Sequence, residues 1–155
     1  MSKIKPGTKV PAFVLPASGG GTWSLKDAAG KKLVLYFYPR DMTSGCTRES
    51  QEFRDLDKAF RKAGTQIVGV SRDSLASHDK FAAKESLPFP LLADTEEKVC
   101  KLFDVIKQKS LYGRKYLGIE RSTFLLDGSG RLQEEWRKVK VAGHAEAVLE
   151  AAQRL

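Results

Sequence analysis

Apolar positions along the chain fall into two kinds of run. Residues 33 to 38 (Leu-Val-Leu-Tyr-Phe-Tyr) are apolar without a break, and residues 65 to 71 carry Ile67, Val68 and Val70 between small or polar neighbours. Uninterrupted runs of this length predict strands covered on both faces of a sheet. Elsewhere the apolar residues recur at helical spacing. Phe53, Leu56, Ala59 and Phe60 predict one helix over 44 to 62, with Gly64 as its stop. Leu75, Phe81 and Ala82 predict a helix over 74 to 85, Val99, Leu102 and Phe103 one over 96 to 103, and Ala147, Val148 and Ala151 one over 143 to 155.

Shorter signals complete the order. Residues 10 to 15 and 22 to 24 read as two strands around Ser18-Gly19-Gly20-Gly21, an N-terminal β-hairpin, followed by a short helix from Ser24 to Gly30. Residues 89 to 92 form a strand that Pro90 confines to an edge. Residues 122 to 126 and 132 to 136 pair through Asp127-Gly128-Ser129-Gly130. The stretch from 107 to 118 reads as a basic loop. Strand and helix alternating in this way predict an α/β fold with a mixed central sheet, partly parallel, flanked by helices on both faces.

At 155 residues the chain suits one domain spanning 1 to 155, which can bury about 70% of its unfolded surface. No apolar run reaches the roughly 18 residues of a membrane span, and residues 1 to 6 lack the apolar stretch of a secretory signal, so no membrane partner and a cytoplasmic location are expected. The net charge of +8 is spread among acidic residues without a basic run, which reads as a solvated surface and predicts no nucleic-acid partner. Two cysteines, Cys46 and Cys100, and two distant histidines, His78 and His144, make neither a disulfide framework nor a metal site. No cofactor is implied. Helix-cap or surface roles are expected for both histidines.

Cys46 carries the chemistry. The buried strand ends at Pro39, a polar turn follows, and the thiol enters the first turn of a long helix. Unpaired N–H groups and the partial positive charge there favour a thiolate, with Arg40 and Arg48 near in sequence. Full ionisation of a thiol of ordinary pKa raises the reactive fraction only about thirty-fold, about 2 kcal/mol, against the roughly 8 kcal/mol or more that enzymes supply. Activating the sulfur is therefore insufficient, and donors for the charge that develops on the leaving atom are required.

The spacing Pro39-x-x-x-Thr43-x-x-Cys46 resembles the active-site motif of peroxiredoxins, and residues 38 to 47 resemble the bacterioferritin comigratory protein (PrxQ) subfamily. Glu49, Ser74-x-x-Ser77-His78 and Glu120-Arg121-Ser122-Thr123-Phe124 fit the same pattern, from about residue 5 to the C-terminus. The resemblance implies a thioredoxin-like fold and a thiol-dependent peroxidase acting on hydrogen peroxide and organic hydroperoxides. Cys46 is then the peroxidatic nucleophile and Thr43 the hydroxyl that bonds thiolate and peroxide. Pro39 becomes the shield above the thiol, and Arg121 the cation beside it. The product at Cys46 is a sulfenic acid.

The chain departs from that subfamily where a resolving cysteine is usual. Gln51 stands five residues after the nucleophile, and Ala82 on the next helix. Cys100 is the remaining thiol, expected as a half-buried apolar residue on its short helix. The expectation is a one-cysteine cycle in which thioredoxin, glutaredoxin or glutathione resolves Cys46. Cys100 as an atypical resolving cysteine and a non-enzymatic redox sensor are the alternatives. A thiol-disulfide oxidoreductase is disfavoured because Glu49 occupies the second position of a Cys-x-x-Cys pair. A monomer is expected.

Overall fold

The structure, a computed structural model, describes residues 4 to 155; the reading of the N-terminus at residues 1 to 3 lies outside the described residues. The elements are β1 (Val14–Pro16), β2 (Thr22–Ser24), a 3-10 turn (Leu25–Ala28), β3 (Lys32–Phe37), α1 (Ser44–Asp55), α2 (Asp57–Lys62), β4 (Thr65–Ser71), α3 (Leu75–Glu85) and β5 (Leu91–Ala93). They continue with α4 (Lys98–Leu102), β6 (Ile106–Leu111), β7 (Arg114–Ile119), β8 (Ser122–Leu126), β9 (Leu132–Trp136) and α5 (His144–Arg154). The described residues contain no helix long and apolar enough to cross a membrane.

The central sheet has the order β5-β4-β3-β8-β9, with β3 in the middle and β5 at an edge. Strands β3, β4 and β5 are parallel, while β8 runs antiparallel to both β3 and β9. Side chains alternate across β3. Leu33, Leu35 and Phe37 join Trp23, Cys100, Phe103 and Val105 in one core layer. Val34, Tyr36 and Tyr38 join Cys46, Phe53, Phe60, Phe81 and Val148 in the other. Helices α1, α2, α3 and α5 therefore cover one face, and α4 with the N-terminal segment covers the opposite one. Both faces of β3 are sealed beyond Lys32, which is why Leu33 to Phe37 run apolar without a break.

Two packing details position the site. Tyr36 stacks on Phe53 of α1 with ring centroids 4.7 Å apart, and its hydroxyl pairs with Ser50 at 2.9 Å. This ring lies across Gly69 of β4, where a Cβ would stand 2.9 Å from Tyr36 Cζ and 2.7 Å from Leu91 Cδ2. A side chain at 69 has no room.

Several expectations are corrected. The helix predicted over 44 to 62 is two helices broken at Leu56, whose N–H is shared between the carbonyls of Glu52 and Phe53. The first strand covers Val14–Pro16 rather than residues 10 to 15, whereas the short helix expected after Ser24 is present as the 3-10 helix Leu25–Ala28. The basic loop over 107 to 118 is instead an antiparallel hairpin, β6 and β7, turning through Tyr112 (φ 51°) and Gly113 (φ 79°). Two residues with positive φ match the right-handed twist of the flanking strands.

Candidate active site

Helix α1 begins after Thr43, and its first backbone bond runs from Thr47 N–H to Thr43 O at 2.8 Å. The N–H groups of Ser44, Gly45 and Cys46 precede that bond and point toward the helix mouth. Cys46 is 1% exposed. The residue opposite it comes from far along the chain: Arg121, immediately before β8, donates from Nη2 to Cys46 Sγ at 3.3 Å and from Nη1 to Glu49 Oε1 at 2.6 Å. Pairing of β8 with β3 puts Ser122 opposite Phe37, so Arg121 arrives beside the loop that leaves β3.

One guanidinium thus faces two acids. Burial pushes the Glu49 carboxyl up from its ordinary 4.5 to about 7, although Arg121 pulls the other way. Glu49 Oε2 is buried without a hydrogen-bond partner. Burial opposes the charge of Arg121, but Glu49 and Cys46 outweigh it and hold the guanidinium pKa above its usual value. Lys109 of β6 interacts with the same charges: burial and Arg121 lower its ammonium pKa, while Cys46 raises it.

Gly45 makes the approach of Arg121 possible. A Cβ there would stand 3.2 Å from Arg121 Nη2, closer than an ordinary contact, so an alanine would displace the group that touches the sulfur.

The loop between β3 and α1 is tied down by Asp41, which is 4% exposed. Its carboxylate accepts from the Tyr38 hydroxyl at 2.6 Å, the Ser77 hydroxyl at 2.8 Å and His78 Nδ1 at 2.8 Å, while its N–H donates to Asp73 Oδ2 at 2.8 Å. Burial alone would raise the Asp41 pKa, but these donors, His78 foremost, hold it below the ordinary carboxylate value. His78 Nε2 meets Leu92 O at 2.9 Å, so the ring joins the loop to β5. Ligating atoms of Asp41, Asp73 and His78 lie within 4.8 Å of one another. Their mutual bonds and those to Tyr38, Ser71 and Ser77 account for that arrangement.

The sequence-predicted residues separate as follows. Cys46 and Arg121 meet directly. Pro39 is half-buried where β3 leaves the sheet, and Thr43 is exposed with its hydroxyl donating to Arg40 O at 2.8 Å rather than to the thiol. The surface and cap roles expected for the histidines are corrected. His78 is fully buried, and His144, 7% exposed, pairs with Thr123 Oγ1 at 2.7 Å and sits edge-on to Phe53 and Trp136. Burial, with Arg121 adding, drives the His144 pKa down to about 4.

Cys100 is fully buried rather than half-buried, in the layer on the opposite side of the sheet from Cys46. Burial and the neighbouring Asp94 push its thiol far above the ordinary range. Gln51 donates to Glu85 Oε1 at 2.7 Å, and Arg54 to Glu85 O at 2.8 Å, so the position without a cysteine fastens α1 to α3. Gly45 and the Asp41 cluster escaped the sequence reading. Two signals for the cluster were available, the polar Arg40-Asp41 pair in a loop between a buried strand and a helix and the Ser77-His78 pair on the helix after β4.

A buried sulfur at a helix mouth, facing a guanidinium on a thioredoxin-like fold, defines a thiol-dependent peroxidase, an oxidoreductase that takes a peroxide and a thiol-based reductant. The chain belongs to the AhpC/TSA family, whose pattern matches residues 6 to 135, and within it to the bacterioferritin comigratory protein (PrxQ) peroxiredoxins. It is 56% identical to Peroxiredoxin Bcp of Xanthomonas campestris over 137 residues, 88% of this chain and 86% of that protein. It is 51% identical to Peroxiredoxin Bcp of Bacillus subtilis over 152 residues, 98% of this chain and 95% of that protein. A solved structure of the Xanthomonas campestris bacterioferritin comigratory protein, concerned with that protein's alkyl peroxide reduction activity, superposes with a TM-score of 0.89 at 50% identity. It covers 99% of this chain and 98% of the other.

Proposed function

We propose that Cys46 is the peroxidatic nucleophile, that hydrogen peroxide and organic hydroperoxides are its substrates, and that an external thiol resolves its sulfenic acid. The contact of Arg121 Nη2 with Cys46 Sγ carries the reading. The guanidinium that donates to the sulfur also lies where charge grows as the O–O bond breaks. The N–H groups at the mouth of α1 add donors for that charge. The Thr43 hydroxyl gives its hydrogen to Arg40 O, which leaves its lone pairs to accept the O–H of the incoming peroxide. Pro39 has no N–H and closes the end of β3 over the thiol.

The step balances. The Cys46 thiolate attacks the hydroxyl oxygen of ROOH, an S–O bond forms, the O–O bond breaks, and RO⁻ leaves and takes up a proton. Sulfur is oxidised by two electrons to the sulfenic acid, and the peroxide is reduced. A thiol then displaces the hydroxyl as water and forms a mixed disulfide, and a second thiol releases Cys46.

Resolution by Cys100 requires crossing the central sheet. A disulfide needs Cα atoms within about 7 Å, and the two thiols lie in opposite core layers. The proposed cycle is therefore one-cysteine, with thioredoxin, glutaredoxin or glutathione as donor, run by a cytoplasmic monomer of one domain. Peroxide consumption with dithiothreitol tests it: Cys46→Ser abolishes turnover and Cys100→Ser retains it, whereas equal rates in both variants and the parent would sink the assignment.

A further inference from the structure

The hairpin of β6 and β7 is unlike the rest of the surface. Its sequence, residues 106 to 119, holds Lys107, Lys109, Arg114 and Lys115 and has no acidic residue. It also carries Leu111, Tyr112, Tyr116 and Leu117, which are 56%, 96%, 46% and 63% exposed. Only three other large apolar side chains among the described residues are comparably exposed, Val14, Met42 and Leu155, and they are scattered. The two strands pair with each other and with no other strand among the described residues. Neither edge is covered by a further strand among the described residues.

The hairpin stands beside Cys46. Its chain leads through Glu120 directly into Arg121, its base is closed by Glu120 N–H to Val105 O at 2.7 Å, and Arg72 donates to Leu117 O at 3.4 Å. Lys109, paired across the hairpin with Tyr116, faces the charges of Arg121 and Cys46. Exposed aromatic and aliphatic side chains ringed by cations of one sign are the composition of a docking patch: tyrosine supplies contact area at small entropic cost, and charge selects and steers the partner.

We propose that the β6–β7 hairpin is the docking surface for the physiological reductant, and that this reductant is an acidic dithiol protein. The inference rests on the external-thiol reading above. Charge decides the occupant: Lys107 is held by Asp104 at 3.0 Å, but Lys109, Arg114 and Lys115 have no ion-pair partner among the described residues, and these three cations repel a basic partner and a second copy of this basic chain. Docking also answers an access problem. Cys46 is 1% exposed, so the first turn of α1 must open before a second protein's sulfur reaches it. A partner held on the adjacent hairpin remains in place until that opening occurs. Its thiolate then attacks Cys46 sulfur, an S–S bond forms as the S–O bond breaks, and the hydroxide leaves as water on protonation. Its second thiol displaces Cys46 and the partner departs as a disulfide, oxidised by two electrons.

The test compares steady-state turnover on reduced thioredoxin, on glutaredoxin with glutathione, and on dithiothreitol, for the parent, the double variant Arg114→Glu/Lys115→Glu and Leu117→Ser. These side chains are exposed, and melting temperatures check that the variants fold. The expected result is a KM for the protein reductant raised by at least ~10-fold with kcat little changed, and dithiothreitol turnover within about twofold of the parent. Raising salt from about 50 to about 300 mM raises the parent's KM for the protein and not that of the double variant. An unchanged KM, or an equal loss with dithiothreitol, overturns the docking surface while leaving the one-cysteine cycle standing. Turnover on dithiothreitol with neither protein reductant active in the parent overturns the choice of a dithiol protein. An intramolecular Cys46–Cys100 disulfide formed at the rate of peroxide consumption overturns the underlying reading as well.

Discussion

Replacing Glu49 by glutamine isolates one titration. The carboxyl has an ordinary pKa of 4.5 and a folded value of about 7, raised by burial against the pull of Arg121. A carboxyl whose pKa is raised on folding binds its proton more tightly in the native state, so its contribution to stability is greatest at low pH and is lost as pH rises through the interval from 4.5 to about 7. At about 1.4 kcal/mol per unit, the full interval is worth about 3 kcal/mol, most of it between pH 5 and 8. His144 acts in the opposite sense. Its pKa falls from 6.5 to about 4 on burial, so its contribution is present above 6.5 and is lost as pH falls toward 4, again by about 3 kcal/mol. The two slopes nearly cancel in the parent over the overlapping range. Glu49→Gln removes one and leaves the other, and the variant then loses stability on acidification while the parent stays nearly level. Urea denaturation of both proteins at pH 5, 6, 7 and 8 gives the difference directly. The variant should gain about 2 to 3 kcal/mol relative to the parent on going from pH 5 to pH 8. A relative change below ~1 kcal/mol would refute the buried, half-paired carboxyl as the source.

Two close approaches at glycines and the burial of Cys100 give three more expected outcomes. Gly45→Ala improves intrinsic helix propensity by up to about 1 kcal/mol but pushes Arg121 from the sulfur, so melting temperature holds or rises while the rate of Cys46 with peroxide in single turnover falls ~10-fold or more. Gly69→Ala drives a methyl into the Tyr36 ring and Leu91, and urea denaturation should register a loss of about 1 to 3 kcal/mol. Cys100→Ser replaces a buried thiol by a hydroxyl that can donate to the adjacent Asp94 carboxylate, so urea denaturation should register a loss of no more than about 1 kcal/mol, and its dithiothreitol-supported rate should match that of the parent.

The parts of this fold that were legible in the sequence are those whose environment imposes a period. β3 has both faces covered and so reads as an unbroken apolar run, and α5 shows its stripe because one side packs on α1 and α2. β6 and β7 bury neither face of their outer halves, so no alternation marks them, and Tyr112 conceals a turn that Asn or Gly would have announced. The break at Leu56 is silent because the apolar spacing runs through it. Among site residues, Pro39, Thr43 and Cys46 share one loop and are legible together. Arg121 lies 75 residues from its sulfur and was accessible only through resemblance. His78 could not be placed from sequence because its partners, Asp41 and Leu92 O, come from two separate loops and strands, and a histidine on a helix gives no sign of them. Gly45 is silent for another reason: its importance is the space it leaves for a side chain from elsewhere.

The most direct test of a peroxidatic Cys46 resolved from outside is the thiol state after one turnover. The reduced protein is treated with one equivalent of hydrogen peroxide in the presence of a sulfenic-acid trap and mapped by mass spectrometry. The label is expected on Cys46, with Cys100 remaining a free thiol and no intramolecular disulfide. A Cys46–Cys100 disulfide forming as fast as peroxide disappears, or a label on Cys100 with Cys46 unchanged, would contradict the account.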